Sequence, residues 1–157
     1  MEVCRGSDLA VFRGPSDDAV MKLFLDIDGV LLTKRGDLAQ GAETFLRWCI
    51  GDHDPFWIST RTRDGSIRGA HRAFHNMLDM ELIEAIRPTR WETLKTEPLP
   101  IGSHDWFWID DEILHAERAV LTDNDALDRF IQISVDRDPS ALMELPATLR
   151  SKRFNQW

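Results

Sequence analysis

The order of apolar and amphipathic segments predicts an α/β fold, a parallel sheet of about five strands with helices on both faces. Two observations carry this expectation. Short apolar runs end abruptly in carboxylates, at KLFLDIDGV and again at WFWIDDE. Between the strand-like runs lie stretches whose apolar residues recur at helical spacing, and strands alternating with helices imply a parallel sheet covered on both sides.

The first run, KLFLDIDGV, begins at Lys22, reaches acidic groups at Asp26 and Asp28, and meets Gly29, which permits a sharp turn. It is expected to be a buried strand ending in a loop. Phe45, Leu46, Trp48 and Cys49 then share one face of a helix over residues 44–50, with Gly51 as its stop. Pro55 precedes a second short buried strand, Phe56-Trp57-Ile58, which closes on Ser59 and Thr60. Residues 66–80 place Ile67, Ala70, Phe74, Met77 and Leu78 on one stripe, and Ser66 is suited to cap the first turn.

A weak third strand is expected over residues 84–87, stopped by Pro88. The clearest late strand covers residues 105–109 and ends in Asp110 and Asp111. A helix over 112–120, a fifth strand over 130–135 and a closing helix over 139–149, begun by proline, complete the pattern. Residues 1–20 fall outside it and are expected to be an N-terminal extension, leaving 21–157 as the folded domain.

A chain of 157 residues is long enough for one domain with its own core. Its 43% hydrophobic and 29% charged residues are ordinary for a globular protein, and no segment is repeated or of low complexity. No apolar run approaches the ~20 residues of a bilayer helix, and the N-terminus lacks the apolar stretch of a signal peptide, so the expectation is a cytoplasmic protein with no membrane partner. Cys4 and Cys49 are then expected to be reduced, Cys49 as a core residue. Trp48, Trp57, Trp106 and Trp108 are likewise assigned to the core. The net charge of −8 argues against non-specific binding of nucleic acid.

In open parallel sheets ligands bind beyond the carboxyl ends of the strands, where Asp26, Ser59 and Asp110 are expected to emerge together. Asp26 and Asp28, one residue apart at a strand end, repel each other and favour a hard divalent cation with oxygen ligands, Mg2+ above all. Asp110 and Asp111 can complete such a site. Lys95 can bring its ammonium group to the same crevice, and the hydroxyl of Ser59 or Thr60 can hydrogen-bond a phosphoryl oxygen. Those parts together suit phosphoryl transfer, which depends mainly on positioning and charge neutralisation.

With LFLDIDGVL, FWIS, Lys95 and WFWIDDE in this order, the chain resembles the haloacid dehalogenase-like hydrolase superfamily over about residues 21–149. The resemblance implies a Rossmann-like three-layer fold. It also implies a phosphatase in which Asp26 attacks phosphorus to give an aspartyl-phosphate, and Asp28 protonates the leaving group and then activates water. By the same carry-over Mg2+ is held by the Asp26 side chain, the Asp28 backbone carbonyl and Asp110, with Asp111 ligating or orienting. Ser59, Thr60, Arg61 and Arg63 are the expected substrate-binding residues. Asp at position 28, where the superfamily's pumping ATPases have Thr, points to hydrolysis.

Specificity in this superfamily usually comes from an inserted cap. Only 31 positions separate Asp28 from Ser59 and 36 separate Ser59 from Lys95, each span largely used by one core helix and its connections. A minimal cap and an open site follow, as in members that act on macromolecules or on substrates closed in by a partner chain serving as a lid. The WIST and WIDDE stretches are also similar to a small subgroup of such domains associated with RNA repair. The expected substrate is therefore a phosphate monoester, small or macromolecular, with a nucleotide or a nucleic-acid end among the options.

Other readings of the same residues stand beside these. Asp-x-Asp-Gly alone also describes a metal-free turn, Lys95 alone a solvated lysine, and Ser59 alone a strand-end hydroxyl bonded to backbone. His71 and His75 share a helical face but lack an evident third ligand, and are assigned to the surface. Arg61, Arg63, Arg68 and Arg72 place positive charge either near the open site or on a solvated face. A phosphoacceptor regulatory domain uses similar groups, but there the lysine comes near the end, whereas here Lys95 precedes the second acidic pair. A catalytically idle binding module is the third alternative.

Overall fold

The structure, a computed structural model, describes residues 20–155, and the extension expected before Met21 lies, apart from Val20, outside the described residues together with Cys4. The elements are β1 (Lys22–Leu25), α1 (Ala42–Asp52), β2 (Asp54–Trp57), α2 (Arg68–Ala73), α3 (Met80–Glu84), β3 (Arg87–Pro88), β4 (Trp106–Asp110), α4 (His115–Asp123), β5 (Phe130–Gln132) and α5 (Ala141–Asn155). All five strands are parallel, in the order β3-β2-β1-β4-β5. The α/β class and the five-stranded parallel sheet are as the sequence predicts.

Side-chain alternation along the strands divides the interior in two. Leu23 and Leu25 of β1, Trp57 of β2, Phe107 and Ile109 of β4 and Ile131 of β5 face one side, where Phe45, Leu46 and Cys49 of α1, Phe74, Ile83 and Leu142, Leu145 and Leu149 of α5 cover them. Phe24, Trp106 and Trp108 face the other side and meet Leu99, Ile101 and Leu121 of α4. Aromatic rings fill this thinner layer: Phe24 stacks on Phe56 at 4.8 Å and Trp108 meets Phe130 edge-on at 4.8 Å. Trp57, Trp106 and Trp108 are core residues as expected, and Trp48 is a partly buried flank of Phe45. Cys49 is buried, which holds its thiol well above the ordinary range.

Several boundaries differ from the sequence reading. The helix expected over 66–80 stops at Ala73, with Phe74 leaving helical geometry at φ −104°, ψ 19°, and the chain continues in turns through Asn76, whose backbone is left-handed at φ 62°. A separate short helix, α3, occupies the start of the expected third strand, and the strand itself shrinks to Arg87–Pro88. Gly51 lies inside α1 and does not stop it. Helix α4 begins three residues later than expected, the fifth strand ends at Gln132, and α5 starts after Pro139 and runs past Pro146. Ser66 does cap a turn, its Oγ accepting from the Arg68 amide at 3.1 Å.

Neither connection flanking the Ser59 position carries an inserted domain. The chain from Gly29 to Gly41 forms a tight loop, closed by a bridge between Leu32 and Leu38 and seated on buried Val30, Leu31 and Leu32. The span from Ser59 to Lys95 is used by a single turn at Thr60–Thr62, α2, α3 and β3. Among the described residues no helix is long and apolar enough to cross a membrane.

Candidate metal and phosphoryl site

Chain order reverses between β1 and β4, which are neighbours in the sheet although the chain has run outward through β2 and β3 before returning. A crevice at the carboxyl ends of two such strands is the expected place for a ligand. Asp26 follows β1 directly, and its amide donates to the Ile109 carbonyl at 3.0 Å, tying it to β4. Asp110 is the last residue of β4 and Asp111 the next. One oxygen from each of Asp26, Asp110 and Asp111 lies within 4.8 Å of the others.

Lys95 completes the centre. Its Nζ stands 2.7 Å from Asp110 Oδ2 and 3.3 Å from Asp26 Oδ1. Asp110 is held on every side: its Oδ2 also accepts from Trp108 Nε1 at 3.1 Å, and its Oδ1 from the amides of Asp111 at 2.8 Å and Glu112 at 3.3 Å. Asp26 is 5% exposed and Asp110 1%.

One ammonium group faces three carboxylates, and burial makes the excess negative charge expensive. Burial, and after it the charge of Asp26, pushes Asp110 up to about 7. Asp111 is pushed up to about 6, by burial and then by Asp110. Asp26 is also raised by burial, against the pull of Lys95. For Lys95 burial acts downward, but Asp26 and Asp110 together outweigh it and hold the ammonium form above the ordinary lysine range. Near neutral pH such a cluster keeps a proton or takes up a cation, and its all-carboxylate donor set suits a hard one.

A backbone detail lets the third carboxylate approach. Gly29 has φ +84°, and a Cβ there would stand 2.3 Å from Asp111 Oδ2. The loop after Asp28 therefore leaves room that only glycine provides. The Gly29 carbonyl accepts from Val135 at 3.0 Å and the Asp111 carbonyl from Gln132 Nε2 at 3.0 Å, so the end of β5 braces both partners.

The Asp28 side chain stands apart from the three-carboxylate group. Arg61 closes on it with both arms of its fork, Nε donating to Oδ2 at 2.8 Å and Nη2 to Oδ1 at 2.9 Å. The Asp28 carbonyl, the expected backbone ligand, accepts no backbone hydrogen bond among the described residues. Ser59 is fully buried, and its Oγ accepts from the Arg61 amide at 3.1 Å, capping the turn at Thr60–Thr62. Thr60 is exposed beside it. Gly69 lets α2 come up under this turn: a Cβ there would meet the Arg61 carbonyl at 1.8 Å.

Arg63 lies over the Trp91 ring, 5.0 Å from its centroid, and donates to the Glu92 carbonyl. Thr60, Arg61 and Arg63, with Asp64, Arg90 and Trp91, bound an open pocket of about 400 Å³. Arg68 and Arg72 lie exposed on or beside α2 and do not line it. His71 pairs with Glu84 at 3.1 Å, and His75 is exposed, in keeping with their assignment to the surface.

Three contributions escaped the sequence reading. Glu117, buried in the first turn of α4, accepts from the Lys95 amide at 2.8 Å through one oxygen and from the Leu114 amide at 2.9 Å through the other. It thereby fixes the loop that presents Lys95. Its position as the third residue of a helix, three after the N-cap Leu114, is the one available signal, since a Glu there often turns back to the first amides. Trp108 is a hydrogen-bond donor to Asp110 as well as a core residue. Finally, Arg61, expected at the rim, is the partner of Asp28 itself.

Comparison of the chain with protein-family models, with curated proteins and with solved structures found no match.

Proposed function

We propose that this chain is a haloacid dehalogenase-like phosphatase that hydrolyses a phosphate monoester with the help of Mg2+. The observation that supports this reading most is the meeting of Asp26, Asp110 and Asp111 with Lys95 at the carboxyl ends of two adjacent central strands. Asp26, Asp110 and Asp111 would hold the cation, with the Asp28 carbonyl as a backbone ligand. When bound, the ion supplies positive charge that offsets the phosphoryl oxygens and the carboxylates around them.

In this reading an oxygen of Asp26 attacks phosphorus, the bond to the leaving oxygen breaks, and Asp28 gives that oxygen its proton. Asp28, now ionised, takes a proton from water as the water oxygen attacks the aspartyl-phosphate, and inorganic phosphate leaves Asp26 intact. Lys95 holds the Asp26 carboxylate in place and keeps positive charge beside it throughout. Arg61 now engages both Asp28 oxygens, so its fork must open before Asp28 can reach a leaving group.

Phosphate release from an aryl phosphate tests the reading. Turnover is expected with Mg2+, to vanish with excess chelator, and to be inhibited by Ca2+, whose larger and looser shell misplaces nucleophile and phosphate. Turnover that persists in chelator, or none on any of a panel of phosphate monoesters, overturns it.

A further inference from the structure

Apart from Arg61, the lining of the open pocket next to Asp28 takes part in no step of that reaction, and it is rich in arginine for a chain of net charge −8. Three arginines, Arg61, Arg63 and Arg90, line about 400 Å³ of open space, together with two acidic residues, Asp64 and Glu92. Asp64 is partly committed elsewhere, one oxygen accepting from the Ser66 amide at 3.0 Å.

The fold holds the Arg63 side chain and the Arg90 backbone in place. The Arg63 amide oxygen accepts from Trp91 at 3.1 Å and residues 64 and 90 form a bridge, which lays the segment after β3 alongside the loop after β2. The Trp91 ring supports the Arg63 guanidinium from one side and the Glu92 carbonyl fixes one arm. Among the described residues neither Arg63 nor Arg90 has a carboxylate within ion-pair distance. A guanidinium placed in advance at Arg63, whose charge acts on Glu97 without closing an ion pair, and a second at Arg90 suit a planar or tetrahedral oxyanion.

We propose that this pocket binds a second phosphate or phosphodiester group of the substrate, so that the preferred substrate is a phosphate monoester carrying another phosphate beyond the one removed. The proposal rests on the phosphatase reading for which phosphate reacts, but not for the binding itself. Arg61 joins the two places. It lines the pocket and holds Asp28, so an anion in the pocket competes with Asp28 for the same fork and frees the carboxylate.

The test is titration calorimetry with Mg2+ on the Asp26→Asn protein, using adenosine 5′-monophosphate, adenosine 3′,5′-bisphosphate and a short 5′-phosphorylated oligonucleotide. The bisphosphate or the oligonucleotide should bind about tenfold or more tightly than the monophosphate, as two exposed guanidinium contacts supply, and the advantage should shrink with added salt. It should disappear in the Arg63→Ala/Arg90→Ala protein and return in large part in Arg63→Lys/Arg90→Lys. A gain for the bisphosphate alone marks a free nucleotide's terminal phosphate as the occupant; a gain for the oligonucleotide alone marks a nucleic-acid phosphodiester. Equal affinity for all three ligands, or an advantage that survives the double alanine substitution, overturns the proposal. Absence of turnover on every phosphate monoester of the panel, the bisphosphate included, by the unmodified protein, with these ratios intact, overturns the phosphatase reading and leaves the pocket's ligand in place.

Discussion

Gly29 and Asp111 are so close that a single methyl group cannot be placed between them: a Cβ at Gly29 would stand 2.3 Å from Asp111 Oδ2 and 2.5 Å from its Cγ. The contact joins the loop after β1 to the residue after β4, so the third carboxylate of the cluster is held in place by an absent side chain.

The Gly29→Ala substitution should therefore displace Asp111 and also strain a backbone with φ +84°. A destabilisation of about 1–3 kcal/mol is expected, together with weakened binding of divalent cation. Gly51→Ala is the comparison, since nothing lies within 4 Å of a Cβ there and the residue sits inside α1. It should leave cation binding alone and stabilise slightly, by up to ~1 kcal/mol. Thermal melts with and without Mg2+ read both effects, and equal behaviour of the two variants would show that the Gly29 contact does not matter.

Lys95 carries the only positive charge in contact with Asp26 and Asp110 among the described residues. Replacing it by Met leaves buried carboxylates facing one another and should lower stability by about 3 kcal/mol, the usual scale for breaking a buried pair. Asp110→Asn in the same protein removes one of those charges and should recover part of the loss. A double-mutant cycle by denaturant melts measures the coupling, and strictly additive effects would argue against the ion pair as drawn.

The cluster also sets a pH dependence. Asp110 and Asp111 are held at about 7 and about 6 in the folded protein, against an ordinary 3.8. The folded state thus binds more protons than the unfolded one between about pH 4 and pH 7, so this contribution to stability is present at low pH and lost as pH rises through the folded values. Without divalent cation, the melting temperature contributed by these groups should fall from pH 5 to pH 8. Mg2+ competes with the same protons, so its stabilisation should be larger at pH 8 than at pH 5. A cation effect independent of pH would place the ion elsewhere.

The parts of this molecule legible in its sequence are those governed by local rules. Leu23, Leu25, Phe107 and Ile109 announce buried strands because burial demands apolar side chains at these positions, and Asp26, Asp110 and Asp111 announce a site because strand ends converge in a parallel sheet. Residues 74–80 were illegible: their apolar stripe continues the helical spacing of α2, while the backbone leaves the helix at Phe74 and turns left-handed at Asn76. The Glu117 contact to Lys95 spans 22 positions and the Arg61 contact to Asp28 spans 33, distances over which sequence spacing carries no information. Pairing of that kind is decided only when loops from different strands meet.

The two aspartates of the first loop provide the sharpest separation of roles. Asp26→Asn should abolish both turnover and phosphoenzyme, since an amide neither attacks phosphorus nor gives the cation a negative charge. Asp28→Asn keeps the backbone carbonyl but removes the group that protonates the leaving oxygen, a contribution of typically ~10²–10⁴-fold in rate. It also leaves Arg61 without its carboxylate partner, so Arg61→Ala is needed as a reference for effects of that side chain alone. An aryl phosphate with an acidic leaving group needs little proton transfer, whereas an alkyl phosphate needs much. The Asp28→Asn protein should therefore retain relatively more activity on the aryl ester, and acid-quenched samples should hold more phosphoenzyme, because the same residue is required to activate water. Arg61→Ala should reduce both esters in similar proportion. Equal losses on the two esters in Asp28→Asn, with no phosphoenzyme accumulating, would remove the reason for assigning Asp28 as acid and base, and full activity in Asp26→Asn would remove the nucleophile.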